Sequence, residues 1–162
     1  MVWVARLGPE PFRQQILASE QECAALARRF DLPAISRLSA TVELVHRAHG
    51  VVLLRAAFEA EFEQSCVVTL DPVPGAVSQD FALLYGPPEA EENATGGGED
   101  IAFEPLTGDA IDIGEAVAQE LSLALPLFPR RPEATPETEE QPGREEGPFA
   151  VLSRFSGAGR PK

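Results

Sequence analysis

Long apolar runs are missing from this 162-residue chain. Its opening, Met1-Val2-Trp3-Val4-Ala5-Arg6 followed by Gly8-Pro9-Glu10-Pro11, holds no apolar core of signal-peptide length. No later stretch is long enough to span a bilayer, so no membrane partner and a cytoplasmic location are expected. Cysteine is scarce as well. Cys23 and Cys66 stand far apart and in different expected elements, so no disulfide framework is indicated. Basic residues are outnumbered 13 to 26 by acidic ones, for a formal net charge of -13. That balance opposes non-specific attraction to nucleic acid, DNA included, and to anionic membrane surfaces. The charge is uneven: residues 1–86 carry a net -3, residues 87–146 carry -13, and residues 147–162 carry +3.

What is present suffices for one core, since 44% of the residues are hydrophobic. The fold expected is α+β, an antiparallel β-meander with two main helices, an acidic flexible loop and a disordered C-terminal tail. Residues 1–129 form the domain, interrupted by a mobile acidic, glycine-rich loop at 87–100. A Pro/Glu-rich linker at 130–147 leads to a short apolar and basic tail at 148–162. Within the domain, Trp3 to Leu7 and Gln14 to Ala18 read as strands around a Gly-Pro-Glu-Pro turn. Ser19 and Glu22 form a capping box for a helix to about Phe30, with Cys23, Leu26, Ala27 and Phe30 on its apolar face. Arg28 and Arg29 suit the dipole of its last turn.

Period two takes over at Leu38, Ala40, Val42 and Leu44, and again at Val52, Leu54, Ala56, Phe58, Ala60 and Phe62, with Gly50 marking a hairpin between them. The same parity through Cys66, Val68 and Leu70 implies one long bent strand or a bulge near Gln64. Asp71-Pro72-Val73-Pro74-Gly75 is read as a turn. Val77, Phe81, Leu83 and Tyr85 supply another strand, and Ile101 to Leu106 a further one.

From Asp109 to Pro129 an acidic start, an amphipathic helix and two prolines follow without a gap. Asp112 is placed to cap the helix and Glu115 sits at the capping-box position. Ile113, Val117, Leu121, Ala124 and Leu125 share one face, while Glu115, Gln119, Glu120 and Ser122 fall mostly elsewhere. Pro126 ends the helix near Leu125, and Pro129 sends Leu127 and Phe128 away extended.

Catalytic patterns are thin. His46 and His49 beside Gly50 lack the three or four converging ligands of a metal site, and the three glycines near residue 97 lack a P-loop lysine. Cys66 lies on an apolar parity, as a buried free cysteine does; a Cys–His nucleophile has no local support. Glu59, Glu61 and Glu63 read as a solvated strand face. Arg130 and Arg131 after the second helix, and Arg154, Arg160 and Lys162 at the end, are available to touch phosphate. A metal-dependent RNA-processing enzyme would need Asp109, Asp112 and Glu115 to converge. Neither a cofactor nor a resident metal is expected.

Three segments carry a resemblance. They are QSCVVTLDPV at Gln64 to Val73, IDIGEAVAQELSLALPLFP at Ile111 to Pro129, and PFAVLSRF at Pro148 to Phe155. Together they resemble the YceD family of large ribosomal RNA subunit accumulation proteins. The resemblance implies a cytoplasmic, non-enzymatic factor in synthesis, processing or stability of 23S rRNA. Its implied partner is a large-subunit precursor, through rRNA or a basic ribosomal protein. An acidic scaffold unrelated to the ribosome is the other alternative. The family-motif positions carried over are Cys66, Asp112, Glu120, Pro126, Phe149 and Leu152, in structural or partner-binding roles. Many members have a Cys-x-x-Cys pair where this chain has Cys66 and Thr69, so metal or redox chemistry of that pair is not implied here. Phe149, Val151, Leu152 and Phe155 serve either to dock on the domain or to bind a ribosomal partner as a short helix, and the second use is the preferred reading.

Overall fold

The computed structural model describes residues 1–91 and 101–134. Most of the acidic loop, the distal linker and the whole tail, with Phe149 and Leu152, lie outside the described residues. Among the described residues the chain forms β1 (Val2–Trp3), β2 (Phe12–Leu17), α1 (Glu20–Arg29), β3 (Ala34–His46), β4 (Val52–Ser65), β5 (Pro72–Gly86), β6 (Ala102–Pro105), β7 (Ala110–Ile111) and α2 (Ile113–Ala124). The class is α+β.

Five strands join in the order β2-β3-β4-β5-β6. The first three pairings are antiparallel: short turns join β3 to β4 and β4 to β5, while α1 lies between β2 and β3. β6 differs: it runs parallel to β5, pairing Leu83 with Ala102 through Gly86 with Pro105. A parallel neighbour needs a long crossover, and the excursion between Gly86 and Ala102 supplies it. A separate two-stranded ribbon pairs Val2 with Ile111 and Trp3 with Ala110. The expected strand at Trp3 to Leu7 is therefore only its first residue, because a 3-10 turn occupies Val4–Arg6.

Alternation along β3 and β4 decides the layers. Leu38, Ala40, Val42, Leu44, Leu54, Ala56, Phe58, Ala60 and Phe62 are buried on one face, where Cys23 and Ala27 of α1 and Ile113, Val117 and Leu121 of α2 cover them. Arg55, Glu59, Glu61 and Glu63 lie on the wet face. A second, smaller core of Val51, Leu53, Leu84 and Ala90 forms at the hairpin end, where Phe103 and Ile101 pack. It orders Pro88–Ala90 as a 3-10 turn at the start of the expected mobile loop.

The Asp71–Gly75 turn moves upstream. The chain reverses over Cys66–Leu70, and Pro72 to Gly75 belong to β5, opposite Ser65 to Phe62. Prolines fit there because β6 pairs only with Leu83 to Gly86, leaving this part of β5 an open edge that needs no N–H from Pro72 or Pro74. The expected continuation of the β4 parity through Val68 and Leu70 is replaced by the turn, in which the Leu70 N–H donates to the Cys66 carbonyl at 2.9 Å.

Candidate functional site

The family-motif positions within the described residues gather around α2 and its exit. Asp112 caps the helix: one carboxylate oxygen accepts from the Gly114 and Glu115 amides, both at 3.1 Å. Such a cap contributes about 1 kcal/mol. Glu115 does not complete a capping box. Its carboxylate instead takes two hydrogen bonds from the Arg29 guanidinium, at 2.7 and 2.6 Å, which holds its carboxyl below the usual range and ties α2 to α1. Both partners are substantially exposed, so the pair adds little net stability and serves to join the two helices. By contrast, Ser19 and Glu22 form the full capping box on α1.

Downstream, the chain crosses the β4–β5 turn and is laced to it. The Gln64 amide donates to the Pro126 carbonyl at 2.9 Å, and the Val67 N–H to the Pro129 carbonyl at 2.9 Å. Arg131 pairs with Asp71 at 3.2 Å. That contact gives Arg131 a structural partner in place of a phosphate. Pro126 thus has two roles: it stops the helix and presents a carbonyl to the sheet.

Cys66 lies inside this lacing with no exposed surface. The Thr69 hydroxyl donates to its sulfur, joined by the backbone N–H groups of Arg131, Thr69 and Val68; these outweigh burial and lower the thiol to about 6. Thr69 is therefore the largest single influence that lowers the Cys66 thiol. Because the folded value lies below that of an unfolded thiol, the stabilisation is fully present above the unfolded value near 9 and is lost as pH falls through about 6. Thiolate absorbance should show one group titrating near pH 6 that Cys66→Ser removes. Cys23, pushed up by burial, should titrate only at high pH. A single transition above pH 9 would contradict this geometry.

Glu120 is half-buried on α2. Burial and the charge of Glu104 raise its carboxyl, and Glu104 also accepts from the Tyr85 hydroxyl, whose own value burial drives upward. A raised carboxylate destabilises the fold once ionised. Its penalty is absent at acid pH and appears as pH rises through the folded value. Glu120→Gln should accordingly raise the melting temperature at neutral pH by a few degrees, with the gain vanishing toward pH 4; equal gains at both would point to packing alone.

The other candidates disperse. His46 and His49 sit at the opposite end of β4 from Cys66, a strand of about 45 Å in contour, so no Cys–His pair forms. Asp112 and Glu115 are engaged as described, and no group of three His, Cys, Asp or Glu side chains capable of holding a metal occurs among the described residues. Sequence reading missed Gln64, Thr69 and Arg131 as lacing residues. It also missed Leu70, a non-glycine residue at φ 62° and largely exposed. No helix among the described residues is long and apolar enough to cross a membrane.

Fold and site together define an α+β sheet domain whose second helix is capped by an aspartate and exits over a cysteine turn. The chain belongs to the YceD family, the large ribosomal RNA subunit accumulation proteins, whose family model matches residues 54–153. That match runs from β4 through the cysteine turn, α2 and its exit into the tail segment. Neither a curated protein nor a solved structure matches the chain. Membership links the chain to accumulation of large-subunit ribosomal RNA.

Proposed function

We propose that this chain is a cytoplasmic, non-enzymatic ribosome-biogenesis factor. It supports synthesis, processing or stability of 23S rRNA by binding a component of the large-subunit precursor. The family match carries the reading. Charge supports a basic ribosomal protein over rRNA as the direct contact, because a net -13 repels phosphate and attracts Lys/Arg-rich surfaces. The wet sheet face has the same bias. Glu59, Glu61, Glu63 and Asp80 are exposed there with Arg37 and Arg55, and Glu43 is already paired with Arg13.

Crosslinking in cells, with both RNA and protein identified, tests the partner. The proposal expects ribosomal proteins of the large subunit, lost when Glu59, Glu61 and Glu63 are changed together to Lys. Exclusive recovery of rRNA would defeat it. Magnesium-dependent cleavage of precursor rRNA by the purified chain, abolished in Asp112→Asn, would replace it with the enzymatic reading.

A further inference from the structure

Eight large apolar side chains are exposed among the described residues, and four of them, Val67, Leu70, Leu127 and Phe128, lie in the two segments laced together at the Cys66 turn. Leu127 and Phe128 are 85% and 76% exposed, held between the anchored carbonyls of Pro126 and Pro129. Leu70 is 78% exposed with its backbone in the left-handed region, a conformation that costs free energy for a side chain with no polar use there. Two rigidly fixed segments displaying apolar groups to water form an interaction surface.

We propose that the surface is a seat for the chain's own tail, with Phe149, Leu152 and Phe155 packing on Val67, Leu70, Leu127 and Phe128. The path of the chain supports this occupant. The last described residue is Ala134, three positions beyond Arg131, which is itself bound to the turn through Asp71. From Ala134 to Phe149 is a step of 15 residues, which spans at most about 50 Å. The tether starts beside its target, and short linkers give effective concentrations in the millimolar range, so a seat of sub-millimolar affinity stays filled.

Composition fits as well. Phe149, Leu152 and Phe155 recur every third residue and Val151 lies four before Phe155, spacing that gathers apolar groups on one side of a short helix. Residues 147–162 carry Arg154, Arg160 and Lys162 and no acid, while exposed Glu63 lies on β4 close to the turn. A second copy of the chain is a poorer occupant, because each copy brings a net -13 to the encounter.

The purified chain tests this seat without any ribosomal component, so the result is separate from that of the crosslinking experiment. Hydrogen exchange at the Val67 and Leu70 amides is compared between the full chain, a chain ending at Gly147, and the full-length double variant Phe149→Asp with Leu152→Asp. Both altered forms should exchange roughly tenfold faster at these amides, with protection elsewhere in the sheet unchanged. Reciprocally, Phe128→Asp should release the tail, bringing its backbone order parameters below about 0.6. Unchanged exchange in both altered forms would overturn the proposal. Protection that fades on dilution of the full chain would also overturn it, and would assign the seat to a second copy.

Discussion

Phe58→Ala is expected to lower the free energy of unfolding by about 3–5 kcal/mol. The ring lies in the middle of the central strand, 1% exposed, with Ala40 opposite it on β3 and Gln79 on β5. It meets Phe81 edge-to-face, centroids 6.1 Å apart, an arrangement that adds about 0.5–1.5 kcal/mol to the burial. Ala56 and Ala60 flank it on the same face of β4, and residues that small cannot move in to fill the space. Since domains are stable by only about 5–15 kcal/mol, the loss approaches the whole margin in the worst case. Urea unfolding is the direct measurement: the midpoint should fall with the slope unchanged. A loss under about 1 kcal/mol would mean that the helices settle onto the sheet.

Gly75→Val is expected to cost about 1–3 kcal/mol, although valine is the better strand former. Gly75 pairs with Phe62 across β4 and β5, and a Cβ there would come 2.5 Å from one ring carbon of Phe62 and 2.9 Å from the next. The ring is 3% exposed and packed in the main core, so it cannot swing clear cheaply. Phe62→Leu introduced beside Gly75→Val should recover part of the loss, a coupling that a double-mutant cycle reads directly. If Gly75→Val were stabilising, the glycine would serve backbone conformation and not the ring.

The same glycine shows where sequence reading stopped. Pro-x-Pro-Gly is turn chemistry locally, yet here the prolines sit on an unpaired edge and the glycine makes room for a neighbour's ring. Those reasons exist only once β4 and β5 are paired. The alternating runs on β3 and β4, the capping box on α1 and the proline stop on α2 were readable because each is a local pattern. Glu115 was not, since its partner Arg29 is 86 residues away. Nor was the second core: Leu53 and Leu84 interrupt no period, and their cover comes from Ala90 in the 3-10 turn and Phe103 on the parallel return of β6.

For the site, sequence located Cys66, Asp112 and Pro126 but not what joins them. A cysteine on an apolar parity suggests an inert thiol. Its surroundings come from two segments, the turn and the backbone of Arg131, and these make it the most acidic thiol in the described part of the chain. Leu127 and Phe128 were expected to leave the helix extended. Their fixation between two anchored carbonyls is what turns them into a surface.

The ribbon of Val2 and Trp3 with Ala110 and Ile111 places a clock in the biosynthesis of this domain. At about 5–20 residues per second, the first strand waits roughly 5–20 s for its partner to be translated. Trp3, 51% exposed even in the finished fold, is unpaired throughout that interval. The meander and α1 can close while the chain is still being elongated, whereas the helix that carries the family's motif becomes seated only at the end. A nascent chain arrested before Ile111 would therefore have most of its sheet and none of its α2 face.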